Sequence, residues 1–240
     1  MYWLLVLTVG VVAGTLGGIV GFGASLIMLP ILVATFGAKA AVPIMIVAAL
    51  LANISRVMVW WREVDWRACG VYTATALPMA AVGARTLIAL EPRIVELALG
   101  GFFVVMIPIR RWLVARGLRI ALWHLAIVGA GIGFLSGIVA STGPVNTPLF
   151  LAYGLTKGAF LATEALGSVA VQITKATVFH TFGALPWDHL VQGLIVGASL
   201  MAGSWIAKAF VQRIEPARFN LLIDVLMASV GVLLLTGVLT

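Results

Sequence analysis

The stretch GIVASTGPVNTP, from Gly137 to Pro148, interrupts an otherwise apolar part of the sequence. Glycine and proline weaken a helix, and in lipid every backbone N–H and C=O group needs a hydrogen-bond partner. Unpaired backbone groups are tolerated at membrane depth only where they are buried in protein or line a water-filled cavity. We therefore predict that a membrane helix opens here and presents backbone groups to a ligand.

The composition is that of a chain whose main solvent is lipid. Of the 240 residues, 62% are hydrophobic and 10% are charged, which indicates an all-α polytopic membrane protein. Cys69 is the only cysteine, so neither an intrachain disulfide nor a cysteine metal cluster is expected, and we predict no cofactor and no metal. We expect the formal charge of +7 to orient the helices in the membrane and not to bind nucleic acid.

Eight apolar blocks are long enough to cross a membrane, since one crossing needs about 20 residues. The blocks are Trp3–Phe36, Ala40–Trp61, Ala68–Leu90, Ile94–Leu113, Ile120–Tyr153, Ala159–Phe182, Leu190–Val211 and Phe219–Leu239. The first and fifth are too long for a single crossing. Each is interrupted near its middle, by GFGAS (Gly21–Ser25) in the first and by STGPVNTP (Ser141–Pro148) in the fifth.

The two halves of the sequence resemble each other. GTLGGIV at Gly14 aligns with GFLSGIV at Gly133, and NISR at Asn53 aligns with QITK at Gln172, at the same separation (133 − 14 = 172 − 53 = 119). Two weaker matches, AVGA with MAGS and EPR with EPAR, follow in the same order. We predict a duplication, with a first repeat in residues 1–115 and a second in residues 116–240. Chance similarity between glycine- and alanine-rich helices is the alternative.

Loop charges predict the direction of the repeats, because Lys and Arg in short loops favour the cytoplasm. If all eight blocks crossed once, six basic loop residues would lie inside and seven outside, which is no bias. If the two long blocks turn back as hairpins, ten lie inside and three outside. We therefore predict two inverted-topology repeats, each a broken, re-entrant helical hairpin plus three transmembrane helices, with both termini outside. Secondary transporters commonly have this arrangement, with binding near the midplane.

Two stretches of the sequence carry a family resemblance: GTLGGIVGFGASLIMLPIL at Gly14 and GIGFLSGIVASTGPVNTPLFL at Gly131. Each precedes a helix that contains NISRVMVWW or QITKATVF, and a basic loop separates the two halves. The chain thereby resembles the sulfite exporter TauE/SafE (TSUP) family of membrane permeases. GFGAS departs from this pattern, since family members more often carry three consecutive glycines there.

The resemblance implies a secondary transporter and not an enzyme. Its substrate would be a small sulfur-containing anion, such as sulfite, sulfoacetate or another organosulfonate, carried across the bacterial inner membrane. We expect alternating access between the inverted halves. The expected partners are this anion and membrane lipid, with a coupled proton and a second copy in a homodimer as further candidates, and no nucleic acid.

The two interruptions supply the first candidate binding residues. A broken helix leaves free N–H groups at the start of its next half, and these groups together with the helix dipole attract an anion. The substrate-binding candidates are Gly21, Gly23 and Ser25 in the first interruption and Ser141, Thr142 and Gly143 in the second. The hydroxyl residues could cap the new half-helix or bind the ligand directly. The alternative is that the glycines only permit close helix crossing.

The sixth block carries a polar stripe. Its members are Glu164, Ser168, Gln172 and Lys175, whose spacings of four, four and three place them on one helix face. Intramembrane charges usually mark a pathway or a paired partner, so Lys175 is predicted to balance the charge of the anion, and Gln172 is a further substrate-binding candidate. Asn53 and Arg56, their counterparts in the repeat, would approach the cavity from the opposite side. Alternatively, Arg56 extends to the membrane interface.

Two carboxyl groups are candidates for coupling. Glu164 and Asp224 lie inside apolar blocks, where burial favours the neutral form and makes proton carriage feasible. In the alternative reading, each pairs with a loop cation such as Lys157 or Arg218.

Two other functional classes compete with the transporter. A channel or a permease subunit would also fit the repeat and the polar stripe. An intramembrane hydrolase would use Ser25, set among glycines, with His180 as its base.

Overall fold

The computed structural model describes residues 2–20, 23–117, 119–139 and 142–210, together with Ala228, Val232 and Thr236. The helices are α1 (Tyr2–Val20), α2 (Gly23–Phe36), α3 (Ala38–Trp60), α4 (Trp66–Ala89), α5 (Pro92–Ala115), α6 (Leu122–Ile138), α7 (Gly143–Tyr153), α8 (Lys157–Thr181) and α9 (Trp187–Phe210). A 3-10 turn, Trp61–Glu63, joins α3 to α4. The described residues contain no strand, which confirms the all-α class. The eighth predicted block lies outside them, apart from the three isolated positions.

Both predicted interruptions are confirmed. In the first long block, α1 ends at Val20 and α2 begins at Gly23. In the second, α6 ends at Ile138 and α7 begins at Gly143. The remaining blocks within the described part form one helix each, because apolar residues without a central cluster of helix breakers let the backbone satisfy its own hydrogen bonds.

The chain reverses direction at each interruption. The rings of Trp3 and Phe36, at opposite ends of the first long block, lie 5.9 Å apart. In the second long block, the Ile120 N–H donates to the Ala152 carbonyl at 3.1 Å. Helices α1 and α2 are therefore antiparallel, as are α6 and α7, so each long block returns to the level at which it began.

Helices α1 and α9 pack closely and run in the same direction. Gly10 of α1 lies against Ser199, and Gly18 lies against Ala207 about two helical turns further along. Midway, a Cβ on Gly14 would meet the Leu200 backbone. The missing side chains let the two backbones approach, which is how small residues stabilise helix pairs in membranes.

Helices α4 and α6 form the corresponding pair. Gly129 of α6 lies against Tyr72 and Gly137 lies against Ala84, so this pair also runs in one direction. The fourth helix of each predicted repeat thus packs against the first helix of the other. Gly18 and Gly137 align across the two halves of the sequence. Each allows the close approach of two backbones in its own helix pair.

Helices α3 and α8 meet at the centre and run in opposite directions. Arg56, near the end of α3, contacts Glu164, near the start of α8. At the other end, Val42 of α3 and Phe179 of α8 line one apolar cavity. The central crossing therefore joins the two helices that carry the NISR and QITK motifs.

The outer surface is apolar. Large hydrophobic side chains such as Leu4, Ile127 and Trp187 are 65% or more exposed. Among the described residues, two stretches, Lys39–Glu63 and Trp187–Ala207, are long and apolar enough to cross a membrane by length and composition. An apolar exterior of this extent is suited to contact with lipid.

Candidate functional site

A polar cavity lies where α3, α4 and α8 meet both helix interruptions. Its polar lining residues are Ser25, Asn53, Arg56, Tyr72, Ser136, Thr142, Asn146, Glu164, Ser168, Gln172 and Ser204. Gly17, Ala24 and Gly143 also reach it, so the cavity contains backbone as well as side-chain groups. Buried polar groups are rarely clustered in an apolar protein without a ligand or solvent to satisfy them, which makes this cavity the candidate site.

An ion pair spans the cavity wall. The Arg56 Nη1 atom lies 3.0 Å from the Glu164 Oε2 atom, and both side chains are more than nine-tenths buried. Arg56 also donates to the Asn53 side-chain oxygen, and the Ser168 hydroxyl donates to Glu164 Oε1 at 2.8 Å. Arg56 therefore extends into the protein and not to the membrane interface, and Glu164 pairs with a cation of the other half instead of a loop cation.

The second interruption opens onto the same cavity. Thr142 precedes α7, and its side chain makes no capping hydrogen bond. The N–H groups of Val145 and Asn146 both donate to the Thr142 carbonyl at 3.0 Å, while Pro144 has no N–H. Thr142 and Gly143 line the cavity, so the start of α7 faces it, and the Gly143 N–H and the Thr142 hydroxyl make no hydrogen bond within the described part of the chain. Ser141 lies outside the described residues.

The described part of the first interruption brings Ala24 and Ser25 to the cavity. Ser25, in the first turn of α2, is 7% exposed. Gly23 begins α2, and Gly21 lies outside the described part of the chain.

Lys175 lies beside the cavity and not on its wall. It is fully buried, and its Nζ atom donates to the Val139 carbonyl at 3.2 Å. Val139 is the C-cap residue that follows the end of α6 at Ile138, so the cation is held by the negative end of the interrupted helix. Gln172, one turn earlier, does line the cavity, and its Oε1 atom has no hydrogen-bond partner among the described residues.

The cavity includes residues that the sequence did not predict. Tyr72 of α4 donates its hydroxyl to the Asn146 side-chain oxygen at 3.2 Å. Asn146 belongs to the interruption STGPVNTP, and Ser136 aligns with the lining residue Gly17 across the repeat. Both positions could therefore have been predicted as cavity residues from the sequence. Nothing in the sequence marked Tyr72 or Ser204.

The residues of the hydrolase alternative do not meet. Ser25 is buried at the cavity, whereas His180 is exposed near the end of α8, with its ring 6.4 Å from that of Trp187. His180 is not among the cavity-lining residues, so it cannot serve as a base for Ser25 in this arrangement. Asp224, the second coupling candidate, lies outside the described residues.

Paired interrupted helices, an apolar exterior and a buried polar cavity define a class of protein: helical membrane proteins with an internal binding site. The family model of the sulfite exporter TauE/SafE matches residues 6–234, and the chain belongs to that family. The resemblance drawn from the glycine-rich stretches is thereby confirmed. Members of this family are membrane-integral transporters of sulfur-containing anions and not enzymes. No curated protein and no solved structure matches the chain.

Proposed function

We propose that this protein is a secondary transporter that carries a small sulfur-containing oxyanion across the bacterial inner membrane. Sulfite, sulfoacetate and other organosulfonates form the substrate class. The observation that carries the proposal is the meeting of the buried Arg56 guanidinium with the uncapped start of α7 on one cavity. Both are groups that bind oxyanions in proteins.

The chemistry of a sulfur oxyanion suits these donors. Its oxygens are spread around one sulfur atom, so a guanidinium can bind two of them while the Gly143 N–H binds a third. Asn53, Gln172 and the hydroxyl groups of Ser25 and Thr142 supply further donors around the cavity. Gly21, Gly23 and Ser141 remain predicted ligands next to the two interruptions.

Lys175 contributes charge from behind the site in this proposal. Its ammonium group holds the end of α6 in place and makes the electrostatic potential in the cavity more positive. It therefore remains a predicted anion-binding residue, acting at longer range than Arg56.

We further propose that the two halves, residues 1–115 and 116–240, are inverted repeats that exchange access to the cavity. The helix directions support this, because α3 and α8, which are equivalent in the repeat, run in opposite directions. The reciprocal pairing of α1 with α9 and of α4 with α6 supports it as well. The basic loops then face the cytoplasm, and both termini lie outside.

Counterflow in proteoliposomes tests the proposal. Vesicles preloaded with unlabelled anion would be mixed with labelled sulfite, thiosulfate, sulfoacetate or taurine, and with acetate as a carboxylate control. We expect saturable uptake with counterflow for at least one sulfur anion and none for acetate. Unsaturable flux without counterflow would support the channel, and absence of flux for every sulfur anion would overturn the proposal.

A matched pair of arginine variants locates the site in the same assay. Arg56→Gln should abolish saturable uptake because it removes the cation of the cavity wall. Arg62→Gln removes an exposed arginine in the turn after α3 and should leave uptake unchanged. Equal loss in both variants would show that Arg56 has no special part in binding.

A further inference from the structure

The two helices at the centre of the cavity match in position but not in charge. At the repeat separation of 119 residues, the equivalent positions are Met45 and Glu164, Ala49 and Ser168, Asn53 and Gln172, and Arg56 and Lys175. All of these except Lys175 line the cavity. The acid of α8 therefore corresponds to a methionine of α3, so these four pairs of equivalent positions hold two cations and one carboxylate.

The two cations differ in what surrounds them. Arg56 is neutralised by Glu164 at 3.0 Å, whereas Lys175 is fully buried and donates to the uncharged Val139 carbonyl. With Lys175 protonated, these three residues of the described part of the chain carry one net positive charge. A buried charge that lacks a counter-charge is unfavourable, and a bound anion would supply one.

Other ionisable groups near Glu164 do not change this balance. Besides Arg56, the neighbouring helix α4 contributes Tyr72 and Cys69, and the turn before it contributes Glu63 and Asp65. Of these, Tyr72 lines the cavity, with its hydroxyl bonded to Asn146. Glu63 lies against Gly158, and Asp65 caps α4 by accepting from the Ala68 N–H at 2.9 Å.

We propose that Glu164 sets the charge of the transported anion. The site accepts one net negative charge, so a monoanion binds without a proton, whereas a dianion binds together with one proton that neutralises Glu164. An anion oxygen takes the place of Glu164 Oε2 on the Arg56 guanidinium, and the proton resides on the displaced carboxyl group. This inference rests on the proposed function and specifies its substrate charge and its coupling ion.

Two probes with fixed charge test the inference. Thiosulfate is a dianion and ethanesulfonate a monoanion across the working range, so their binding to the full-length protein in lipid nanodiscs can be compared by calorimetry. For thiosulfate we expect about one more proton taken up per anion than for ethanesulfonate, and an affinity that falls about tenfold more per unit rise between about pH 6 and 8. A proton taken up by Lys175 is common to both anions, so the difference between them reports Glu164. Equal proton uptake for the two anions would overturn the inference.

Glu164→Gln separates the inference from the proposed function. Removing the carboxylate should reduce the pH slope and the proton uptake for thiosulfate to those of ethanesulfonate, and tighten thiosulfate binding at least about tenfold near pH 8. Asp188→Asn, which removes an exposed carboxylate at the start of α9, should behave like the unaltered protein. If thiosulfate still takes up about one proton more than ethanesulfonate in Glu164→Gln, the inference is overturned and the proposed function is not affected.

A second variant keeps the test decisive if Glu164→Gln does not fold. Ser168→Ala retains the acid but removes a hydrogen bond to its charged form, so proton uptake should extend to higher pH. An unchanged pH profile in Ser168→Ala would count against the inference. Failure of the unaltered protein to bind any sulfur anion would overturn the proposed function, and the inference with it.

Discussion

At the scale of single residues, the site depends on charged groups that are almost fully buried. Arg56 is held by Asn53 and Glu164, so two side chains from two helices fix its guanidinium. Lys175 is held by one backbone carbonyl and has no carboxylate within salt-bridge distance among the described residues. Their substitutions should therefore have different consequences.

Substituting Arg56 should lower the stability of the protein and should also stop transport. Arg56→Gln leaves the Glu164 carboxylate buried and unpaired, which costs about 3–5 kcal/mol of stability. The double variant Arg56→Gln/Glu164→Gln removes both charges and should recover most of that stability without recovering transport. Thermal unfolding of the two variants in detergent measures the difference. Equal stability of the single and double variants would contradict a stabilising ion pair.

Substituting Lys175 should weaken binding more than it weakens the fold. Lys175→Met keeps the length of the side chain but removes the charge that a bound anion balances. We expect about a tenfold loss of anion affinity, equivalent to about 1.4 kcal/mol, and loss of most ligand-dependent thermal stabilisation. Lys175→Arg should retain both, since it keeps the charge. Unaltered binding by Lys175→Met would show that Lys175 does not take part in anion binding.

At the scale of the elements, glycine contacts determine which helices pair. A Cβ on Gly133 would lie 2.7 Å from the Ala76 Cα atom of α4, too close for an ordinary carbon contact. Gly131 lies on the same helix, and a Cβ there would meet nothing within 4 Å. The two positions form a matched pair for testing the α4–α6 contact.

Gly133→Ala should destabilise the protein, and Gly131→Ala should not. Overpacking at a close backbone contact costs about 1–3 kcal/mol, while alanine in an open helical position stabilises a helix by up to about 1 kcal/mol. The melting temperatures of the two variants should therefore move in opposite directions. Equal melting temperatures would show that α4 and α6 do not depend on this close approach.

The interruptions are elements that local sequence predicts well. GFGAS and STGPVNTP contain helix breakers in otherwise apolar blocks, and the helices end within a few residues of them. The antiparallel return of the chain at Phe36 and Ala152 was predicted from loop charges instead, since breakers alone are equally compatible with a kinked helix that continues straight on.

At the scale of the whole molecule, the proposed inversion of the repeats has a direct test. In a Cys69→Ser background, single cysteines at Lys39 and Arg62 flank α3, and single cysteines at Thr156 and Phe182 flank α8; all four positions are exposed. A membrane-impermeant maleimide applied to the outer face should label the Lys39 and Phe182 variants. The other two should react only after permeabilisation. Outer labelling at Thr156 would mean that α8 runs parallel to α3, contrary to the proposal.

By itself, the sequence determined the helical blocks, their two interruptions and the polar stripe on the helix that became α8. These are local properties, set by apolar composition, by glycine and proline, and by the 3.6-residue period of a helix. The family also follows from the sequence, because glycine-rich stretches in both halves carry the resemblance.

Only the tertiary structure decided which polar groups meet. Glu164 pairs with Arg56, 108 positions away, although its equivalent in the repeat is the uncharged Met45. Tyr72 reaches the cavity because α4 packs against α6 and α8, which no local pattern around Tyr72 records. Lys175 is held at the end of α6 instead of on the cavity wall because that helix end leaves a carbonyl unpaired. Such pairings depend on the packing of distant helices, and that packing is a property of the whole chain.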